Sequence, residues 1–219
     1  MRKMQPKVDI LLLQIIMNIK RINFYSDPRF TQEVLNQHGC FLVDGEPYEV
    51  EIISDSEAVI RGRDESIFPA VIDEFRFYTP HITRFYDENQ RIIQEFPPVA
   101  LLTIPLGDIQ PSQFYIDEDK IAAIRSFIHS EEDIIIQVLR HGRRYISLDG
   151  HTRLYYAVMM GWQQVRAVAA TSDDYIYGFV EEAVKRNIRT PYDLKLVSHP
   201  EYEEKWHKFC DDYFAEREG

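Results

Sequence analysis

The chain has 219 residues, 45% of them apolar and 13% aromatic, which is enough to bury a core in one large or two small domains and excludes a disordered chain. A net charge of −11 argues against a protein that coats nucleic acid or anionic membrane, and two cysteines, Cys40 and Cys210, exclude a disulfide scaffold. Reduced thiols and a cytoplasmic location are the expectation.

Val8 to Ile19 is mostly apolar and follows Arg2, Lys3 and Lys7. Asp9, Gln14 and Asn18 interrupt it, and it falls short of the roughly 20 apolar residues of a membrane span. Ile19-Lys20-Arg21-Ile22 is a poor leader cleavage site, with no small-residue pattern. A buried helix or strand, or an extension ahead of Met17, is expected. A short helix then runs from Arg29 to Gln37 and stops at Gly39. Asp44-Gly45 joins Phe41–Val43 to Tyr48–Ile53 as a hairpin, and Glu57–Arg61 adds a strand. Ile67, Val71, Phe75 and Tyr78 mark a helix over 67–78. Ile82–Tyr86 and Arg91–Phe96 form a second hairpin, and Pro97-Pro98 closes an N-terminal segment, 1–97.

The next segment, 98–172, opens with a strand at Leu101–Ile104. Asp117 caps a helix whose apolar face is Ile121, Ile124, Phe127 and Ile128. Ile134–Leu139 and Arg143–Leu148 are strands joined by Arg140-His141-Gly142. Asp149-Gly150-His151-Thr152-Arg153 follows, then a helix ending at Gly161 and a strand over Val165–Ala170. The remainder, 173–219, reads as a helical cap: Tyr175–Arg186, a second helix opened by Thr190 and Pro191, and a third from Pro200 to about Glu216. Tyr202, Trp206, Phe209 and Tyr213 form the packing face of that third helix.

The chemistry concentrates at Asp149–Arg153, where a strand gives way to a helix. The first N–H groups of a helix lack partners and carry partial positive charge, so a phosphate placed there completes their bonds. Gly150 lets a ligand approach, His151 and Thr152 offer donors, and Arg153 adds a planar two-pronged donor. Asp149 would bind a metal on the phosphate or a substrate hydroxyl. The alternative on the same residues is structural: Asp149 caps the helix, Gly150 eases the turn, and Arg153 pairs with a surface carboxylate.

Ile104-Pro105-Leu106-Gly107-Asp108-Ile109-Gln110-Pro111-Ser112, then a helix, two strands and Asp149-Gly150-His151-Thr152-Arg153 before a helix and a strand, resembles the ParB/sulfiredoxin superfamily over about residues 99–172. The five-residue loop is similar to the Asp-Gly-His-x-Arg loop of ParB-like domains that include the free-serine kinases. The resemblance implies an α+β fold with a ParB/sulfiredoxin-like mixed-sheet core. It implies that Gly150, His151, Thr152 and Arg153 hold phosphates of ATP or ADP, or of CTP, with Mg2+. It also turns Gln110–Phe114 toward the same pocket, which adds Ser112 and Gln113 to the binding set. Asp149 and His151 become the catalytic candidates for phosphotransfer to a small hydroxyl-bearing molecule.

The chain also departs from those families. His151 stands where sulfiredoxin has its reactive cysteine. Gln113 stands where the serine kinases have a catalytic glutamate. Asn187-Ile188-Arg189 is a faint echo of the second phosphate motif of partition proteins, and no DNA-reading helix follows it. A catalytically inactive interaction module, binding another protein or a second copy of the chain, is therefore the alternative. A DNA-associated nuclease or CTP-binding protein is a further one. His199, Glu203 and His207, four apart, would share one helix face as metal ligands or as a solvated surface. Arg140, Arg143 and Arg144 form either a solvated turn or a rim that attracts an acidic ligand.

Overall fold

The computed structural model describes residues 17–218, and the fold is α+β. The chain divides between Pro98 and Val99 into two compact units, so the segment after residue 172 belongs to the second unit. Most of the Val8–Ile19 run lies outside the described residues. Among those described, no helix is long and apolar enough to cross a membrane.

Six strands of the first unit lie side by side in chain order: β1 (Ile19–Arg21), β2 (Cys40–Val43), β3 (Glu46–Ile52), β4 (Glu57–Gly62), β5 (Arg84–Tyr86) and β6 (Ile92–Glu95). Asp44 and Gly45 take φ of 50° and 92°, the left-handed pair that a two-residue hairpin between β2 and β3 requires. All neighbours are antiparallel except β4 and β5, which pair in parallel. A helix, Phe68–Tyr78, crosses over between them. Its Phe68, Val71, Ile72 and Phe75 pack on Phe41, Tyr48, Val50, Ile60 and Phe85. The short helix Gln32–Asn36 brings Val34 and Leu35 against Ile22, Phe30 and Cys40. Burial pushes the Cys40 thiol up to about 12, which leaves it inert.

The second unit is built on a mixed sheet ordered β7-β12-β10-β11-β8, where β7 is Leu101–Pro105, β8 Ile109–Pro111, β10 Ile135–His141, β11 Arg144–Ser147 and β12 Gln164–Ala169. Strand β11 runs parallel to β8 and antiparallel to β10. The helix His151–Met159 leads from β11 toward β12 and buries Leu154 and Ala157 among Ile104, Ile109, Ile136 and Val165.

Three expectations shift. The β10–β11 turn is Gly142-Arg143, not Arg140-His141-Gly142: the ladder extends to the His141–Arg144 pair, and Gly142 alone takes the left-handed conformation. The helix capped by Asp117 ends at Ile124, because the Ile124 carbonyl accepts from both Phe127 and Ile128 and closes the turn early. No helix follows Thr190. A capping box closes the 3-10 turn Pro191–Asp193, and the chain then extends as β13 (Lys195–Val197). There it pairs in parallel with β9 (Tyr115–Asp117), an edge that captures its backbone groups.

From His199 the chain is helical to Glu218, with a π turn at Glu203–His207. Trp206 and Phe209 both meet the ring of Phe114 at 5.0 Å, and Tyr213 lies 4.7 Å from Phe179 on the helix Tyr175–Lys185.

Phe75, 1% exposed, touches Phe41 and Phe85 edge to face. Phe75→Ala is expected to destabilise the protein by about 3–5 kcal/mol, read as a lowered midpoint in urea unfolding followed by circular dichroism.

Candidate functional site

The candidate site forms where β11 ends. Leu148 still donates to the Gln137 carbonyl at 2.9 Å, and then the chain turns through Asp149 and Gly150 into the helix. Gly150 has φ of 82°. A Cβ there would stand 2.6 Å from Ile136 Cγ2 and 3.1 Å from Arg153 Nε and Nη2, so both the conformation and the space require glycine. The Gly150 carbonyl accepts from Leu154 at 2.9 Å. The preceding N–H groups, on His151, Thr152 and Arg153, have no hydrogen-bond partner among the described residues.

His151 faces inward and is only 6% exposed. The Ser112 and Gln113 N–H groups each lie 3.2 Å from its Nε2, and Ser147 Oγ lies 2.9 Å away. Ser112 Oγ donates to the Ser147 carbonyl at 2.7 Å. Two N–H donors converge on Nε2, so that nitrogen is the acceptor and the ring is the neutral Nδ1–H tautomer. Burial, reinforced by the positive charges of Arg153 and Lys120, lowers the pKa to about 4; Asp149 opposes this without reversing it. The side chain expected to donate to a phosphate instead accepts from the Ser112–Gln113 turn.

Arg153 lies over Gly150. Its Nη2 donates to Asp149 Oδ2 at 3.1 Å and its Nη1 to the Ile135 carbonyl. The ion pair is within the loop, with Asp149 about half exposed. The N-cap position is Gly150, which has no side chain to close the helix start. Gln113, at the position of the kinase glutamate, donates through Nε2 to the Tyr115 carbonyl at 2.5 Å and to Tyr202 Oη at 3.2 Å. The fold thus brings together Ser112, Gln113 and the whole run from Asp149 to Arg153, and Thr152 sits half-buried beside them.

Two residues join the site without a signal in the sequence. Lys120 Nζ donates to Tyr202 Oη at 3.3 Å and lies 4.5 Å from the Tyr202 ring centre. Burial lowers the Lys120 pKa, while Asp117, Asp149 and Glu203 oppose that shift. Its charge therefore stands near the loop as a second cation beside Arg153. Tyr202, 3% exposed, arrives from the C-terminal helix.

A second cluster adjoins Lys120. Ligand atoms of Asp117, Asp119 and His199 lie within 4.8 Å of one another. Asp117, 2% exposed, caps its helix by accepting from the Asp119 N–H, and its Oδ2 bonds His199 Nδ1 at 2.8 Å. The chemistry of two carboxylates and an imidazole suits a divalent cation. His207 lies 2.8 Å from Glu203 instead, so the four-residue spacing of His199, Glu203 and His207 becomes a chain of side-chain contacts through Glu203.

No protein-family model matches the chain, and no curated protein matches its sequence. Among solved structures it is similar to protein Atu1540 from Agrobacterium tumefaciens, with 16% identity and a TM-score of 0.31 over 44% of this chain and 62% of that one. The match thus spans less than two thirds of that structure.

The His151 arrangement carries a pH signature. The ring is neutral in the fold down to about pH 4 but titrates near its ordinary 6.5 when unfolded. The unfolded chain therefore binds more protons between these values, and the stabilising contribution drains away as pH falls from 6.5 toward 4. His151→Gln keeps an acceptor that does not titrate, so its urea midpoint should fall less steeply than the wild-type midpoint between pH 7 and 5. Parallel profiles for the two proteins would refute a neutral, buried His151.

Proposed function

We propose that the second unit is a ParB-like module that binds the phosphates of a nucleotide, ATP, ADP or CTP, at the start of the helix His151–Met159. One observation carries this reading: three N–H groups without partners among the described residues open behind a left-handed glycine, with the charges of Arg153 and Lys120 beside them. Amides at the positive end of a helix dipole, with two cations alongside, match the oxygens of a phosphate in geometry and in charge. The ParB-like arrangement of the sequence supplies the nucleotide as the phosphate's source. A cytoplasmic location, where nucleotides are abundant, fits this ligand.

Binding works by exchange. Asp149 occupies one prong of Arg153, as an internal stand-in for the anion. A phosphate that draws the guanidinium to itself displaces Asp149 from that prong. Magnesium arriving with the nucleotide would find Asp149 there as its protein ligand. In a phosphotransfer the same carboxylate would take the proton of an acceptor hydroxyl as its oxygen bonds the terminal phosphorus and the bridging oxygen leaves with its electron pair. Gln113 and His151 cannot do this, since an amide is no base and the His151 lone pair faces the Ser112 and Gln113 amides. That same fact favours a second reading, in which the module binds nucleotide without turning it over and presents its bound state to a protein partner.

Isothermal titration with ATP, ADP and CTP, with and without Mg2+, tests the proposal. Saturable binding by at least one nucleotide is expected. Arg153→Ala should weaken it about 10- to 100-fold, the loss expected for charge-assisted hydrogen bonds. Asp149→Asn should tighten it when Mg2+ is absent, because the competing anion is gone. Folded protein that binds none of the three overturns the reading.

A further inference from the structure

The hairpin end of β10–β11 holds a cavity of about 310 Å³, lined by Gln110, His141, Arg143, Arg144, Tyr145, Ile146 and Val180. None of these residues belongs to the loop at Asp149–Arg153. The volume lies at the small end of the range for small-molecule sites.

The chemistry of its wall is divided. Tyr145, Ile146 and Val180 supply apolar surface, and the His141 ring lies 5.5 Å from that of Tyr177 in a tilted contact. Gln110 brings a buried polar group. It is 7% exposed, and its Nε2 donates to the carbonyls of Pro111 and Ile188, each at 2.9 Å. Those two bonds fix which end of the amide is nitrogen. The other end, Oε1, accepts from no described residue and is not among the buried unpartnered atoms, so it is open to water or to a ligand. At the mouth the charge is positive. Arg144 is committed through Nη2 to the carbonyls of Gly107, Ile109 and Arg189. Arg143, on the exposed turn, has no ion pair or hydrogen bond among the described residues, which makes its guanidinium available in a protein of net charge −11.

We propose that this cavity is a binding site for a small organic carboxylate with an apolar body and a hydrogen-bond donor at its far end. The carboxylate meets Arg143 at the mouth, the body lies against Tyr145, Ile146 and Val180, and the donor reaches Gln110 Oε1. A cation at the rim attracts any anion, but the open acceptor on Gln110 favours one with a donor opposite its charge, because a ligand donor there makes a direct hydrogen bond in place of one to water.

4-Hydroxybenzoate has these three features and serves as the probe. Its titration into isotopically labelled full-length protein, followed by amide chemical shifts, should give saturable changes at His141–Ile146 and around Val180. 4-Methylbenzoate, which lacks the donor, and 4-hydroxybenzamide, which lacks the charge, should each bind at least about fivefold more weakly. Arg143→Ala, at an exposed turn, should fold normally and weaken 4-hydroxybenzoate to a similar degree, while Arg153→Ala leaves it unchanged. The proposal is overturned by the absence of saturable shifts, by shifts indifferent to Arg143→Ala, or by shifts confined to Gly150–Arg153. The last result would place the anion at the helix start instead.

Discussion

The second unit turns on a single nitrogen. Nε2 of His151 gathers the Ser112 and Gln113 amides and the Ser147 hydroxyl. These groups come from the turn after β8, the end of β11 and the first turn of the helix, so three separate stretches of chain are fastened at one acceptor. A side chain that could only donate would leave two buried N–H groups facing a positive charge. A side chain without polar atoms would leave them facing nothing, at a cost of about 1–3 kcal/mol each. The imidazole suits the position because it offers a lone pair on one edge and can be held neutral by its surroundings.

This fastening also decides what the neighbouring groups can do. With its side chain turned inward, His151 contributes only its backbone N–H to the surface of the loop. The outward chemistry passes to Arg153, Asp149 and Lys120. Arg153 is held by a buried carbonyl on one side and an exposed carboxylate on the other. The first contact positions it, and the second is exchangeable, since an ion pair half in water contributes little net stability. The loop is therefore a preset cradle with a weak internal occupant. On the proposed reading an external anion would compete with a half-exposed carboxylate.

Much of the fold was legible in the sequence where local rules and burial agree. Asp44-Gly45 announced a hairpin and takes the conformation those residues favour. The Phe75 face and the helix after Gly150 follow from apolar spacing. The failures share one cause. Thr190-Pro191 carries genuine helix-opening chemistry, yet only one turn forms, because the edge of β9 captures the following backbone. Pairing with a strand 80 residues away has no local signature. The loop from Asp149 to Arg153 was legible as a strand-to-helix junction, but the direction of the His151 ring was not. That direction depends on two backbone amides near residue 112, and a side-chain pattern cannot show them. Lys120 and Tyr202 were hidden for the same reason, since each is ordinary in its own segment and acquires meaning only where the two meet.

Charge distribution ties these observations together. The protein is acidic overall, yet its second unit sets arginines at two places where backbone carbonyls hold them in position. Arg144 is bound by three carbonyls at the hairpin and Arg153 by one at the helix start. A guanidinium bound to a neutral carbonyl keeps its full charge, and its remaining N–H groups stay open to an anion, whereas one bound to a carboxylate is largely neutralised. Arg153 adds a pair with the exposed Asp149, whereas Arg144 bonds only carbonyls among the described residues. The proposed anion recognition by this unit would then follow from where its carbonyls point, and the excess of negative charge elsewhere repels polyanions.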